Sequence, residues 1–303
     1  MNIHEIELSA GTIEYADTGG DGPVTVMLHG LLMDATLWDQ VISGLPAGHR
    51  YLAPTLPLGA HRRAMNPDAD LSLPGIARLV TEFLDRLGLQ DVTLVGNDTG
   101  GALAQLLIAN ETPRADRAGR ADRADRADRA DRVGRAVLVS CEAFDNFPPG
   151  LTGKTLALAG RLPPWLFRLV MSQMRVRPLR RLPIAFGWLT KRGDAATARW
   201  IQPVLTTPAI RRDTVRMLRA VFADRRVLLG AAERLPAFRR PALIIWAAGD
   251  RVMPPEHGRR LAGLLPQAEH AEIDDSYTLI PLDQPAALAG AITEFIRAAR
   301  AVF

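Results

Sequence analysis

The chain of 303 residues holds one cysteine, three tyrosines and six histidines, and each scarcity excludes something. Cys141 alone cannot build a disulfide framework or a thiolate metal site, and it suits a reducing compartment. The histidines show no metal-ligand spacing, so neither a metal nor a cofactor is expected. No leading apolar run resembles a secretion signal, and no run is long enough to cross a bilayer. The expectation is a cytoplasmic protein without a transmembrane segment. Acidic residues are scarce in one region only. Residues 151–240 carry 19 Lys/Arg against 4 Asp/Glu, although the whole chain is only +4.

What is present is an alternation of strand and helix patterns. Residues 2–8 and 11–17 alternate apolar and polar around Ala10-Gly11 and predict an antiparallel hairpin. Pro23 to Leu28 is apolar enough for a strand buried on both faces, and it runs into His29-Gly30-Leu31. A helix is expected from Leu37 to Leu45, a short strand at Tyr51 to Pro54, a loop over Leu58 to Asp70 and a helix from Leu73 to Leu87. Strands at 91–95, Ala136 to Ser140, Pro241 to Trp246 and Ala271 to Ile273, with a closing helix from Pro285 to Arg300, complete the pattern. It predicts an α/β fold with a mostly parallel eight-stranded sheet flanked by helices. Residues 1–146 and 241–303 form the expected core. Residues 147–240, helical segments broken by prolines, form an expected helical cap. Residues 113–132 repeat Arg-Ala-Asp with a period that fits neither helix nor strand and offers nothing to bury. They read as a solvated loop whose charges nearly cancel, which argues against nucleic-acid binding.

The chemistry centres on Gly96-Asn97-Asp98-Thr99-Gly100. An apolar strand entering a glycine-framed acid, with an apolar helix (Ala102 to Ala109) leaving it, has the layout of a nucleophile elbow with aspartate as the central group. Glycines are needed there because side chains two residues to either side would collide with neighbouring backbone. The helix N-terminus behind Asp98 favours negative charge.

With these motifs in order, the chain resembles an α/β-hydrolase-fold enzyme with a helical cap. The resemblance covers its whole length apart from the Arg-Ala-Asp repeat. It implies that the backbone N–H groups of Leu31 and Thr99 form an oxyanion hole. It also places Asp250, in Ala247-Ala248-Gly249-Asp250, at the triad acid. Aspartate at the elbow is similar to the haloalkane dehalogenase and epoxide hydrolase branch.

The departures are informative. The register set by Asp283-Gln284-Pro285 puts Thr278 where the resemblance implies the catalytic histidine, and threonine has no useful basicity near neutral pH. Loss of one triad member typically costs about 10⁴- to 10⁶-fold in rate. His257 and His270 read as surface residues rather than as a displaced base. The resemblance implies a halide-holding tryptophan beside the nucleophile and often an asparagine after His-Gly. This chain has Thr99 and Leu31 there, and its expected cap has no tyrosine to activate an epoxide, so neither activity fits well.

Other candidates surround Asp98. Glu142 follows the next strand. It either shares a pocket with Asp98 and Asp250, which would raise at least one carboxyl pKa, or braces a loop through backbone amides. His29, Asn97, Trp38, Tyr277 and Thr278 are candidate pocket residues, with packing as the plainer role for Asn97, Trp38 and Tyr277. His61 lies in a loop read as solvated, from which it could reach a pocket. Trp165, Phe167, Phe186, Trp188, Trp200 and Phe222 have the spacing of a packed core inside the cap, with an apolar pocket lining as the alternative for some of them. The cap cations mark a solvated face, or else a dock for an anionic partner such as an acidic acyl-carrier protein or a phosphate-bearing substrate.

The resulting expectation is an enzyme acting on a small apolar organic substrate through Asp98-centred acid/base or ring-opening chemistry. Cyclisation, isomerisation or elimination in secondary metabolism fits by analogy with the family. One alternative is a hydrolase whose water is activated by Asp250 or Glu142. The other is a ligand-binding protein on a retired hydrolase scaffold.

Overall fold

The structure, a computed structural model, describes residues 1–111 and 132–301. All but Arg132 of the expected Arg-Ala-Asp loop lies outside the described residues. The sheet contains β1 (Asn2–Leu8), β2 (Gly11–Asp17), β3 (Val24–Leu28), β4 (Arg50–Pro54), β5 (Val92–Asn97), β6 (Val133–Val139), β7 (Ala242–Ala247) and β8 (Ala268–Ile273). Their spatial order is β1-β2-β4-β3-β5-β6-β7-β8. β1 pairs antiparallel with β2, and β2 antiparallel with β4. Every pairing from β4 to β8 is parallel. β5 and β7 are buried along their full length, as central parallel strands covered on both faces must be.

Among the described residues three α-helices precede β6: α1 (Asp39–Ser43), α2 (Leu73–Arg86) and α3 (Thr99–Glu111). The helix expected over Leu37 to Leu45 is shorter than its apolar pattern suggests. Asp34 caps a 3₁₀ turn at Ala35–Trp38 by accepting from the Thr36 N–H at 3.0 Å, and α1 adds little more than one turn. α2 starts at Ser72, whose hydroxyl accepts from the Gly75 N–H at 3.1 Å. It buries Ile76, Leu79, Val80, Phe83 and Leu84, each worth roughly 1.5–3 kcal/mol. The loop read as solvated is inside at its start, where Leu58, Ala60 and His61 are buried, and at Met65, while Arg62, Arg63 and Asn66 are exposed. Asp213 holds it down by accepting from the Met65 N–H at 2.8 Å.

Between β6 and β7 the regular elements are all helical: α4 (Gly150–Ala159), α5 (Pro164–Ser172), α6 (Arg177–Arg180), α7 (Asp194–Trp200), α8 (Gln202–Thr206), α9 (Pro208–Val221) and α10 (Val227–Ala232). Of the aromatics expected to pack together here, Phe167, Phe186, Trp200 and Phe222 are buried. Trp165 is the correction: it is 69% exposed. After β7 come α11 (Pro255–Leu264), α12 (Ile280–Asp283) and α13 (Pro285–Ala301). β8 begins three residues before its expected start because it is an edge strand, with Glu269, His270 and Glu272 facing out and little apolar signal. Among the described residues no helix is long and apolar enough to cross a membrane.

Candidate active site

Asp98 sits on the turn between β5 and α3 with φ +56°, a left-handed conformation that costs a non-glycine residue about 1–3 kcal/mol. Its neighbours enforce the turn. A Cβ on Gly96 would collide with the Gly100 backbone, one on Gly100 with the Leu28 carbonyl, and one on Gly101 with the Cys141 side chain. Gly30 is the fourth constraint, because any side chain there would overlap the Asp98 carboxylate itself. Four glycines from two loops thus fix one carboxylate.

The carboxylate is asymmetric. Asp98 Oδ1 accepts from the N–H of Thr99 at 2.7 Å and the N–H of Leu31 at 3.4 Å, and lies 3.1 Å from Thr99 Oγ1. No donor among the described residues reaches Oδ2. The two amides expected as an oxyanion hole therefore converge on the aspartate's own oxygen. If Oδ2 bonded to carbon, negative charge developing on Oδ1 during later attack at that carboxyl would be held by them.

Thr99 Oγ1 also lies 2.7 Å from Glu142 Oε1. One hydroxyl proton cannot serve two carboxylate oxygens. The arrangement is satisfied when Glu142 is protonated and donates to Thr99 Oγ1, which in turn donates to Asp98 Oδ1. Glu142 is fully buried and its Oε2 has no partner, so a charge there would be uncompensated. Burial, reinforced by the charge of Asp98, pushes the Glu142 carboxyl well above the usual range. Burial also raises Asp98, against the pull of the Thr99 amide and hydroxyl and the Leu31 amide. With three donors against one, Asp98 is the better-held anion and Glu142 the proton carrier. Gln105 donates to the Glu142 carbonyl at 2.7 Å and fixes that segment.

Asp98 and Glu142 share a cavity of about 150 Å³. Its other walls are Leu31, Leu32, Val252, residues of α4 and α5, Met174 and the Ile184–Phe186 turn; the side chains are apolar except for Thr152 and Thr155. Asp250 is not in this wall. Its Oδ1 accepts from Val252 N–H at 2.9 Å, Met253 N–H at 2.8 Å and Thr278 Oγ1 at 2.8 Å, while Oδ2 is buried without a partner. Burial carries its pKa up to about 6, although those donors resist. Asp250 thus touches the cavity through Val252 and is bonded to the very residue that stands at the expected histidine position.

The remaining candidates lie elsewhere. His29 is buried outside the cavity wall; Nδ1 meets the Gly30 carbonyl at 2.9 Å and Nε2 accepts from Leu56 N–H at 2.9 Å. That pairing is the neutral tautomer, and burial lowers the pKa to about 4. Asn97 donates to the carbonyls of Val139 and Thr278 at 2.9 and 2.8 Å, tying β5 and β6 to the 278 segment. Trp38 is fully buried away from the cavity. Tyr277 is half-buried under Lys191 and Arg251, whose cationic groups lie 4.9 and 5.0 Å from its ring centre. His257 is half-buried against Phe144 and His270 is exposed; neither bonds to Asp98 or Asp250. Among the described residues no group of three or more His, Cys, Asp or Glu could hold a metal ion. Sequence reasoning finds Thr99 as an amide donor and as a flank that could orient Asp98 or touch substrate; nothing in the pattern signals its hydroxyl between two carboxyls. Val252 is missed too, although its place two residues after Asp250 is a usable clue.

The chain matches the alpha/beta hydrolase fold family model over residues 23–285. Haloalkane dehalogenase 2 of Mycobacterium tuberculosis is 27% identical over 290 residues, covering 94% of this chain and 92% of that protein. The magnesium-chelatase 30 kDa subunit of Rhodobacter capsulatus is 27% identical over 271 residues, covering 87% and 84%. The crystal structure of haloalkane dehalogenase DbeA from Bradyrhizobium elkani has a TM-score of 0.74 at 18% identity, covering 100% of this chain and 99% of that one. At that identity the likeness is one of fold.

Proposed function

Because the chain belongs to the α/β-hydrolase-fold family of enzymes, we propose that it transforms a small apolar organic molecule over Asp98 by non-hydrolytic acid/base chemistry. One observation carries this reading: two buried carboxyl groups joined through a single hydroxyl at the polar end of an otherwise apolar cavity. In an isomerisation, Asp98 Oδ2 takes a proton from carbon, a carbon–oxygen bond breaks, and the departing oxygen takes the Glu142 proton. The enzyme then holds a protonated Asp98 and an ionised Glu142. A half-turn of the Asp98 carboxyl brings its protonated oxygen to Thr99 Oγ1, which also touches Glu142 Oε1 and passes a proton back, resetting the pair. The Leu31 and Thr99 amides, the oxyanion donors, hold the negative charge on Asp98 Oδ1, and residues 147–240 act as the cap over the substrate.

The test is incubation of the full-length protein with epoxides, haloalkanes and activated esters in ¹⁸O-water, with mass analysis of products and protein. Products isomeric with their substrates and free of ¹⁸O are expected. Repeated turnover to labelled alcohol or diol would overturn the non-hydrolytic reading. It would favour a hydrolase in which Asp250 activates water, a second reading supported by its pKa of about 6 and its unpartnered Oδ2. Ligand binding without product, unchanged in Asp98→Asn, would instead identify a binding protein.

A further inference from the structure

Exposed large apolar side chains are concentrated in one short stretch. Apart from Met1 and Ile3 at the chain start, those of the described residues fall between Leu151 and Ile184, among them Leu151 (47%), Leu158 (62%), Trp165 (69%) and Leu169 (56%). Helix periodicity shows that this is a face and not scatter. On α4, Leu151 and Leu158 are seven residues apart and share a side. On α5, Phe167 and Met171 point inward while Trp165 and Leu169, also four apart, point outward. α5 is therefore apolar on both sides, and only one of them is covered. Soluble surfaces seldom leave such a grouping open unless something docks on it.

The same stretch has a one-sided charge. From Leu151 to Gly193 the sequence holds nine Lys/Arg and no Asp or Glu. Lys154, Arg161, Arg168 and Arg175 are exposed, and none forms a salt bridge with a carboxylate among the described residues. Exposed leucines and a tryptophan interleaved with such cations match the chemistry of a bilayer interface: apolar groups enter the acyl boundary while cations meet anionic headgroups. An acidic protein would complement the charge but gives no reason for so much exposed apolar surface.

We infer that α4, α5 and the 173–184 segment form a monotopic docking face for an anionic lipid bilayer. The face rims the cavity, since Val170 and Ile184 are exposed on it and also line the cavity, and Thr152 Oγ1 ties α4 to the Pro183 carbonyl at 2.8 Å. Apolar molecules dissolved in the bilayer would then have a dry path to Asp98. That consequence rests on the function proposed above, whereas the docking itself does not.

Flotation of the full-length protein with vesicles tests the docking without any assay of turnover. Vesicles of equal parts phosphatidylcholine and phosphatidylglycerol should carry the protein at low salt, and phosphatidylcholine alone should not. Trp165→Ser with Leu169→Ser should weaken partitioning about tenfold or more. Lys154→Glu with Arg175→Glu should do the same, and added salt should reproduce the second effect. All four positions are on the surface, and circular dichroism checks that the fold persists. Flotation unaffected by the apolar pair would overturn the proposal, reducing the effect to general charge. So would absence of flotation, whether scattering shows a dimer that Trp165→Ser dissolves or an immobilised acidic acyl-carrier protein retains the chain.

Discussion

Two sets of buried carboxylates in this molecule are treated in opposite ways. The structural set is saturated with donors. Asp283 accepts from Thr190 Oγ1 at 2.7 Å and from the N–H groups of Lys191, Arg192 and Tyr277 at 2.9, 2.8 and 3.0 Å, pinning the Thr190–Arg192 turn to the 277 segment. Asp213 takes the Met65 N–H and Arg216 and faces His61. Burial pushes its pKa up, but the His61 contact, the Met65 amide and the Arg216 charge more than offset this and hold it below the ordinary value. At Asp17 burial is likewise outweighed, by Arg50 2.7 Å away, and the carboxyl is held down. Around the cavity the supply fails: Glu142 has one contact and an orphan oxygen, Asp98 leaves Oδ2 free, and Asp250 leaves Oδ2 unpartnered. Saturated carboxylates lock segments together, while undersupplied ones are pushed toward their protonated forms by burial.

The largest way to break this contrast is Asp98→Asn. Turnover should fall by about 10⁴-fold or more, while the melting temperature stays level or rises because a disfavoured buried charge is gone. Activity retained in that variant would remove Asp98 from the centre of the chemistry. Asp283→Ala should do the reverse, costing roughly 3 kcal/mol in urea unfolding because three backbone amides and a hydroxyl lose their acceptor. A loss under about 1 kcal/mol would mean that saturation is not what makes a carboxylate structural.

The pH dependence of stability should also separate the sets. Asp250 in the folded protein titrates at about 6, above its ordinary 3.8, so folding favours its protonated form. That contribution is complete below the unfolded value and is lost as pH rises through about 6, a change on the order of 3 kcal/mol. Asp98 and Glu142 act in the same direction. Asp17 and Asp213, lowered in the folded state, contribute above their unfolded values and lose that contribution as pH falls through their folded ones. Urea midpoints measured across mildly acidic pH should decline toward neutrality in the wild type and decline less steeply in Asp250→Asn. An unchanged slope in that variant would contradict the burial of Asp250 as the cause.

Parts of this contrast are legible in the sequence and others are hidden, for physical reasons. Gly96, Gly100 and Gly101 announce the elbow because backbone crowding around Asp98 tolerates no side chain at those positions. The Asp283-Gln284-Pro285 register likewise exposes Thr278 at the expected histidine position. Two features stay hidden. Periodicity shows which residues of α5 share a face but not which face turns inward when both are apolar, so Trp165 cannot be separated from Phe167. The direction of a hydroxyl or a ring nitrogen leaves no trace in the pattern. The Thr99 bridge, the closed pairing of His29 and the burial of His61 therefore emerge only from packing.

The finest test concerns that bridge. Thr99→Val keeps the shape of the side chain and removes only the hydroxyl between Asp98 and Glu142. If the hydroxyl returns the proton after each turnover, kcat should fall about ten- to a hundredfold, a loss of roughly 1.4–3 kcal/mol, with KM little changed. Its pH profile should shift, because Glu142 no longer exchanges its proton with Asp98. Thr99→Ser, which keeps the hydroxyl and gives up the methyl, should recover most of the rate and the wild-type profile. A residue that served only packing would show the opposite order, with valine tolerated and serine the poorer variant. That order would return Glu142 to the structural set and leave Asp98 as a lone carboxylate under the cavity.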